Sequence, residues 1–272
     1  MLKSSIKKVI PKRHHHWVED LYVKARYAAL FPLFKGNEFE CPLCRGRFRR
    51  MLPKGADLPV LREKQVVGAG YRLNSRCPRC DSFDRERLVY LYLRNKTRVL
   101  SEHLRLLHVG PEKNLQCVLM ARPNIEYLSA DLDSPLAQVR MDIRKIEYPD
   151  DWFDVIICNH VLQDIPEDRK AISELYRILR PGGWAILQVP VSRVLERTLE
   201  DPTVSTPEER NRVYGGMYHV RIYGRDYEEK LTNVGFAVHR YSFAAEHGAE
   251  LAHRFGLLLD EEIHVASKPA RL

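Results

Sequence analysis

No stretch of the 272 residues is apolar for long enough to span a bilayer as a helix. The basic N-terminus is not followed by an uninterrupted apolar segment and a small-residue cleavage site, so no secretory leader is read. Internal repeats and low-complexity tracts are also lacking, which excludes solenoids and tethered tails. The Gly-Ala-Gly at 68–70 has neither a following helix nor a Lys-Ser/Thr pair, so it is no phosphate loop. A catalytic triad is not visible, and neither is the basic and aromatic stacking motif of a defined RNA module. Hydrophobic residues at 44% and charged residues at 29% are ordinary for a globular chain, long enough for one large domain and one small. The expected compartment is the reducing cytoplasm.

Cysteine is scarce, at six residues, and four of these form two matched pairs. Cys41-Pro-Leu-Cys44 and Cys77-Pro-Arg-Cys80 each hold two thiols two residues apart. That spacing lets both sulfurs of a pair face one ion from a tight turn, and two such pairs complete a tetrahedral thiolate site for structural Zn2+. Two disulfides or four free thiols are the other readings of the same residues. Cys117 and Cys158 stand alone in apolar surroundings and read as small core residues.

The net charge of +8 is unevenly placed. Residues 1–40 carry eight Lys/Arg against four acids, and residues 41–87 carry twelve against five. The remainder is slightly acidic. A positive front third suggests an anionic partner, such as nucleic acid, a phosphorylated glycan or an acidic membrane surface. A solvated basic face is the plainer reading.

Three regions follow: a basic arm and helix at 1–36, a cysteine module at 37–83, and a larger domain at 84–272. The arm includes His14-His15-His16, to which no role is given. Residues 17–34 have helical periodicity that Pro32 should end. The module reads as short hairpin strands, and residues 84–97 as a helix that Asp84 caps. From 105 onward, short apolar runs alternate with helical segments, the pattern of an α/β domain with a doubly wound, mostly parallel sheet. Seven strands are expected, at 105–109, 125–131, 139–143, 153–159, 184–189, 235–241 and 262–267. Residues 190–218 form a polar stretch long enough for a lid or substrate loop.

In such sheets ligands sit beyond the carboxyl ends of the strands. Gly110 and Glu112 follow the first strand, Asp131 ends the second, Asp142-Ile143 close the third, and Asn159-His160 end the fourth. A glycine turn with an acidic strand end 21 residues later is an arrangement that holds a nucleoside, the carboxylate on the ribose hydroxyls.

The runs LLHVGPEKN, YLSADL, MDI, YPDDWFDVIICNHVL, ELYRILRPGGWAILQVPV and HVRIYG stand in this order through residues 105–267. In these the chain resembles a class I S-adenosylmethionine-dependent methyltransferase. More narrowly, it looks like the bacterial group related to the methyltransferase type 11 domain that carries an N-terminal cysteine-rich ribbon. The resemblance implies a Rossmann-like seven-stranded sheet, S-adenosylmethionine as cofactor and an unidentified methyl acceptor, whether a small molecule, a glycan or lipid intermediate, or RNA. It implies that Gly110 shapes the turn under the methionine portion, Asp131 binds the ribose, Asp142 lies near the adenine amino group and Ile143 lies against the ring. Asn159 and His160 would border the methyl-transfer site. His160 or His219 would serve as proton acceptor for a hydroxyl or protonated amine; either histidine could instead only satisfy a backbone carbonyl.

Two departures stand out. HVGPE has one glycine where the family has two or three plus an acid, so Glu112 is the candidate to replace the missing carboxylate toward the methionine ammonium. His160-Val161-Leu162-Gln163-Asp164 replaces a more usual HVLEH, with Asp164 read as a surface or helix-start carboxylate. These departures support a second reading, a non-catalytic binding or regulatory protein on a methyltransferase fold.

Overall fold

The computed structural model describes residues 32–271, together with Ala25. The basic arm, its histidine triplet and most of the 17–34 helix lie outside the described residues. Residues 32–34 are helical, so Pro32 itself sits in a helical turn; a proline removes one N–H donor but its fixed φ suits a helix.

The cysteine module is built from small antiparallel pairs. Strand β1 (Lys35–Glu40) pairs with β2 (Arg47–Phe48), and β3 (Leu52–Lys54) pairs across the module with Arg72–Arg76. Between them lies a short helix α1 (Pro59–Glu63), where hairpin strands were expected; Pro59 at its first turn costs no hydrogen bond. Strand β4 (Val66–Val67) and the Arg72–Arg76 strand, β5, complete the module. Among the described residues its buried core is Phe34, Phe39, Cys41, Phe48, Met51 and Cys77, with Leu43, Cys44, Leu52 and Cys80 packed against it. So small a core needs a cross-link to hold.

Helix α2 (Asp84–Lys96) leads out of the ribbon. Asp84 does not cap it. The Phe83 N–H donates instead to Glu86 Oε2 at 2.7 Å, and Asp84 accepts two bonds from Arg72, at 2.6 and 3.1 Å. A fork-on-carboxylate pair outcompetes the cap geometry. Leu88, Val89, Leu91 and Leu93 bury the helix against the next domain, each worth about 1.5–3 kcal/mol.

The large domain then runs β6 (Leu104–Val109), α3 (Lys113–Met120), β7 (Ile125–Asp131), β8 (Val139–Arg140), β9 (Phe153–Asn159), α4 (Asp168–Ile178) and β10 (Leu179–Gln188). It continues with β11 (Val191–Ser192), β12 (Leu199–Glu200), α5 (Pro207–Tyr214), β13 (Arg221–Ile222), α6 (Tyr227–Thr232), β14 (Ala237–Ser242), α7 (Phe243–His247), α8 (Ala249–Arg254) and β15 (Glu262–Ser267). Seven of these strands form one sheet in the order β14-β15-β10-β9-β6-β7-β8. β15 is antiparallel to both neighbours and the other pairings are parallel. The expected strand set is thus present, with the third shortened to two residues and the fifth extended back through an irregular Pro181–Gly183 stretch.

Alternation puts Leu107, Val109, Ile156, Cys158, Ala185 and Leu187 on the face covered by α4 and α6. Leu106, Val155, Ile157 and Ile186 face α2, α3, α7 and α8. Cys158 is therefore a core residue as expected, but Cys117 is exposed on α3. The strand order reverses between β6 and β9, which sets the ligand crevice at their carboxyl ends.

The 190–218 stretch is built into a wall. β11 pairs antiparallel with β4 of the ribbon, and β12 with β13. A side chain at Gly215 would fall 2.4 Å from Leu61, so the end of α5 sits directly on α1. Among the described residues no helix is long and apolar enough to cross a membrane.

Candidate functional site

The four paired cysteines converge, all four sulfurs lying within 4.8 Å of one another. Cys41 Sγ is 3.7 Å from Cys80 Sγ and Cys44 Sγ is 3.6 Å from Cys77 Sγ. Disulfide sulfurs sit at about 2 Å, so neither pair is bonded. Sulfurs about 2.3 Å from a tetrahedral ion stand nearly 3.8 Å apart, which is what these separations match. Burial pushes the Cys77 thiol up, while bonds from the other three thiols hold Cys41 well below its ordinary value. A buried thiolate among thiols is a ready ligand for a divalent cation.

At the sheet edge, Gly110 has φ +61°, and a side chain there would strike Val161 at 2.6 Å. Asp131 accepts the Asp133 and Ser134 N–H groups on Oδ1, at 2.8 and 2.7 Å. Its Oδ2 stays on the Gly110 side. A hollow of about 310 Å³ opens beside it, lined by Asp131, Ser134, Val139 and Arg140 among others. Asp142 is bound by Arg144, which keeps its carboxyl below the ordinary range. Ile143 is buried in the core and does not line that hollow, because β8 ends three residues before it.

Glu112 lies inside. His108, buried on β6, approaches it with Nε2 2.9 Å from Oε2, and the other ring nitrogen lies 2.9 Å from the Tyr127 hydroxyl. A tyrosine that donates to Nδ1 and an Nε2–H that donates to Glu112 satisfy all three groups. Asn159 Nδ2 donates to Glu112 Oε1 at 3.4 Å, and Arg85 Nε stands 3.6 Å from the same oxygen. Burial alone would raise the Glu112 carboxyl, but His108 and then Arg85 outweigh it and hold it below its ordinary value. It is a buried, ionised carboxylate.

His160 follows directly, with φ +53°, a conformation that strains a side-chain-bearing residue. Its N–H donates to Gln188 O at 2.7 Å, while ring Nε2 is buried without a partner. Burial, with the charges of Arg85, Arg72 and His219, pulls the imidazole far below its ordinary value, so it is neutral. Asn159 Oδ1 and Arg85 Nε are likewise buried and unpartnered.

The ribbon supplies the opposite wall. A side chain at Gly68 would sit 3.2 Å from Glu261 Oε1 and 3.5 Å from the His160 ring. Glu261 is held only loosely by Gln188 Nε2, at 3.4 Å, and burial, then Asp84, pushes its carboxyl up to about 7. Glu86 is similarly raised to about 7, by burial and then by Glu112. One polar cluster, called the chamber below, therefore gathers Arg72, Asp84, Arg85 and Glu86 with Glu112, Asn159, His160 and Glu261. Sequence reasoning missed His108, Arg72, Arg85, Glu86 and Glu261. The run Asp84-Arg85-Glu86-Arg87 at the head of an apolar helix was a usable signal; Glu261, 189 residues from Arg72, gave none.

His219 is set apart, with Nδ1 3.3 Å from Tyr214 O and Nε2 3.8 Å from Asp164. Asp164 is the acid of a short 3-10 turn (Leu162–Asp164), its side chain 35% exposed, and burial raises its carboxyl. Arg221 is buried and holds Glu200 and the carbonyls of Leu162 and Pro166, which fixes the loop after His160. Beyond Glu261 a polar cleft of about 670 Å³ opens between Gln188, Arg193, Arg225, Arg240 and His264.

The parallel sheet with its single reversed strand and the crevice at Gly110, Asp131 and Asn159 define a class I, Rossmann-like methyltransferase fold. Residues 102–187 match the family model described as Methyltransf_11, methyltransferase domain. Residues 102–187 thus carry a methyltransferase domain of that description, downstream of the four-cysteine module. Over 79 residues it is 27% identical to a phosphatidylethanolamine N-methyltransferase of Cereibacter sphaeroides, covering 29% of this chain and 37% of that protein. Over 58 residues it is 36% identical to the ubiquinone/menaquinone biosynthesis C-methyltransferase UbiE of Vibrio parahaemolyticus serotype O3:K6 (strain RIMD 2210633), covering 21% and 22%. The matches thus span well under half the length of these relatives. Among solved structures, the [4+2]-cyclase SpnF superposes with a TM-score of 0.50 at 17% identity, covering 80% of this chain and 100% of that one. That likeness concerns the fold alone.

Proposed function

We propose that the protein transfers a methyl group from S-adenosylmethionine to a polar acceptor, at a chamber closed on one side by a zinc-held ribbon. The observation that carries the reading is the set of unsatisfied groups at the sheet edge. Asn159 Oδ1, His160 Nε2 and Arg85 Nε are buried without partners beside the ionised Glu112, and a native fold seldom leaves such atoms unused. The residues fit the cofactor: Gly110, at φ +61° and without a side chain, lets the turn pack on Val161 beside Asp131, Asp131 keeps one oxygen for ribose hydroxyls, and Glu112 with Asn159 Oδ1 offers acceptors to an ammonium. When bound, the cofactor supplies an activated methyl on a sulfonium. The chain's part is alignment, exclusion of water by the Val66–Gly70 loop, and removal of a proton where the acceptor carries one. Neutral His160 and the raised carboxyl of Glu261 are the groups assigned to that proton; His219, turned to Tyr214 and Asp164, is assigned to acceptor positioning.

The acceptor enters by the cleft at Arg193, Arg225 and Arg240. Those arginines are matched by Asp260, Glu196, and Glu228 with Glu262, which favours a polar acceptor without a phosphate at this point. An anionic part, if the acceptor has one, falls to the exposed Arg45, Arg49, Arg50 and Arg79 around the metal knuckles.

Titration calorimetry with S-adenosylmethionine and S-adenosylhomocysteine tests the cofactor half. Binding is expected for both, weakened about tenfold or more by Asp131→Ala; no heat at millimolar ligand would sink the reading. The single glycine of the first loop favours a second reading, a non-catalytic binding protein on this fold. Labelled methyl transfer in a native extract, lost in the Asp131→Ala protein, excludes it.

A further inference from the structure

We propose that Arg85, the second residue of α2, receives the carboxylate of the cofactor's amino-acid end, opposite Glu112, which receives its ammonium. This rests on the cofactor reading above. The guanidinium and the Glu112 carboxylate face each other at 3.6 Å, too long for a hydrogen bond, and Arg85 Nε is buried with no acceptor. The two neighbouring arginines have no such vacancy. Arg72 is spent on Asp84, and Arg87 on the carbonyls of Ser75, Ser82, Phe255 and Gly256. Arg85 is therefore the guanidinium in the chamber with a donor still to place, and its charge acts on Glu112, His160, Glu261 and Glu86.

A zwitterionic α-amino acid needs an anion acceptor and a cation acceptor side by side, and a planar guanidinium suits a carboxylate. The HVGPE loop, with one glycine and a proline, offers few free backbone N–H groups. A side-chain pair takes their place, and one member arrives on the helix that follows the ribbon, locked to the sheet by its apolar face. The helix that follows the ribbon thus contributes directly to ligand recognition.

The test compares S-adenosylmethionine with its decarboxylated form by calorimetry on full-length, zinc-loaded protein. Wild type is expected to favour the carboxylate form by about tenfold or more. Arg85→Gln should erase that preference while changing affinity for the decarboxylated form by less than about twofold, and Arg85→Lys should restore part of it. Zinc content and a melting curve establish that each variant is folded. Should Arg85→Gln fold poorly, wild type against Arg85→Lys decides, since an unchanged preference in the lysine protein overturns the assignment. A wild type that binds both forms equally overturns the Arg85 role alone. A wild type that binds neither overturns the cofactor reading and the Arg85 role with it.

Discussion

Among the described residues the ribbon core consists of six buried residues, two of them cysteines, whereas clusters of 23 and 19 buried residues flank the sheet. The sheet domain holds itself by hydrocarbon burial; the ribbon relies on whatever joins its four sulfurs. Yet the two regions share one chamber, and the polar groups from each are left incomplete without the other. Stability and function are therefore divided differently in this molecule: the weaker unit carries half of the site. Among the contacts that hold it to the stronger one are the apolar face of α2, the β4–β11 pairing, the seat of Leu61 under Gly215, the Arg87 bonds to the carbonyls of Phe255 and Gly256, and the Arg254–Glu40 pair.

The largest effect expected from breaking this division is metal removal. Chelation, or Cys77→Ser, should melt the ribbon as a separate early transition while most far-UV circular dichroism remains, since structural zinc sites supply about 10 kcal/mol or more. A single unchanged transition would mean that the ribbon stands without metal. Next, Arg221→Ala should cost about 3–5 kcal/mol in denaturant unfolding, because it leaves Glu200 and several loop carbonyls without their buried partner. A loss under about 1 kcal/mol would contradict its role as the post of the His160 loop.

A third effect depends on pH. Glu261 has an ordinary value of 4.5 and is raised to about 7 in the fold. The folded protein then holds more protons than the unfolded chain between these values, so this group's contribution is intact below about 4.5 and is lost as pH rises to about 7. Glu261→Gln should consequently gain stability relative to wild type across that window, by up to about 3 kcal/mol. A difference that does not grow from pH 5 to 7.5 would show the carboxyl to be solvated. The smallest effect is Gly68→Ala, about 1 kcal/mol for φ +83°, with narrowing of the gap between Glu261 and His160. Affinity for S-adenosylhomocysteine should fall more than stability does.

The sheet was legible because its strands are near-continuous apolar runs, as FDVIICN at 153–159 shows, and because helices with one apolar face alternate with them. The cysteine pairs were legible because metal geometry fixes their spacing locally. Gly110, Asp131 and Asn159 could be placed from strand ends alone. The chamber's other half was not, because Arg72, Arg85 and Glu261 meet through tertiary pairing that leaves no local period. Asp84 resembled a cap by position, but its competition with Glu86 depends on where Arg72 lies, 12 residues earlier. The polar 190–218 stretch looked like a lid because its partner strand, Val66–Val67, lies in another module.

The joint origin of the chamber is tested most directly by S-adenosylhomocysteine affinity in zinc-loaded and chelated protein, with far-UV circular dichroism recorded on both. Affinity is expected to fall about tenfold or more on metal removal while the sheet domain stays folded. Equal affinity in the two states would show that the sheet edge holds the ligand alone and that the ribbon is no part of the site.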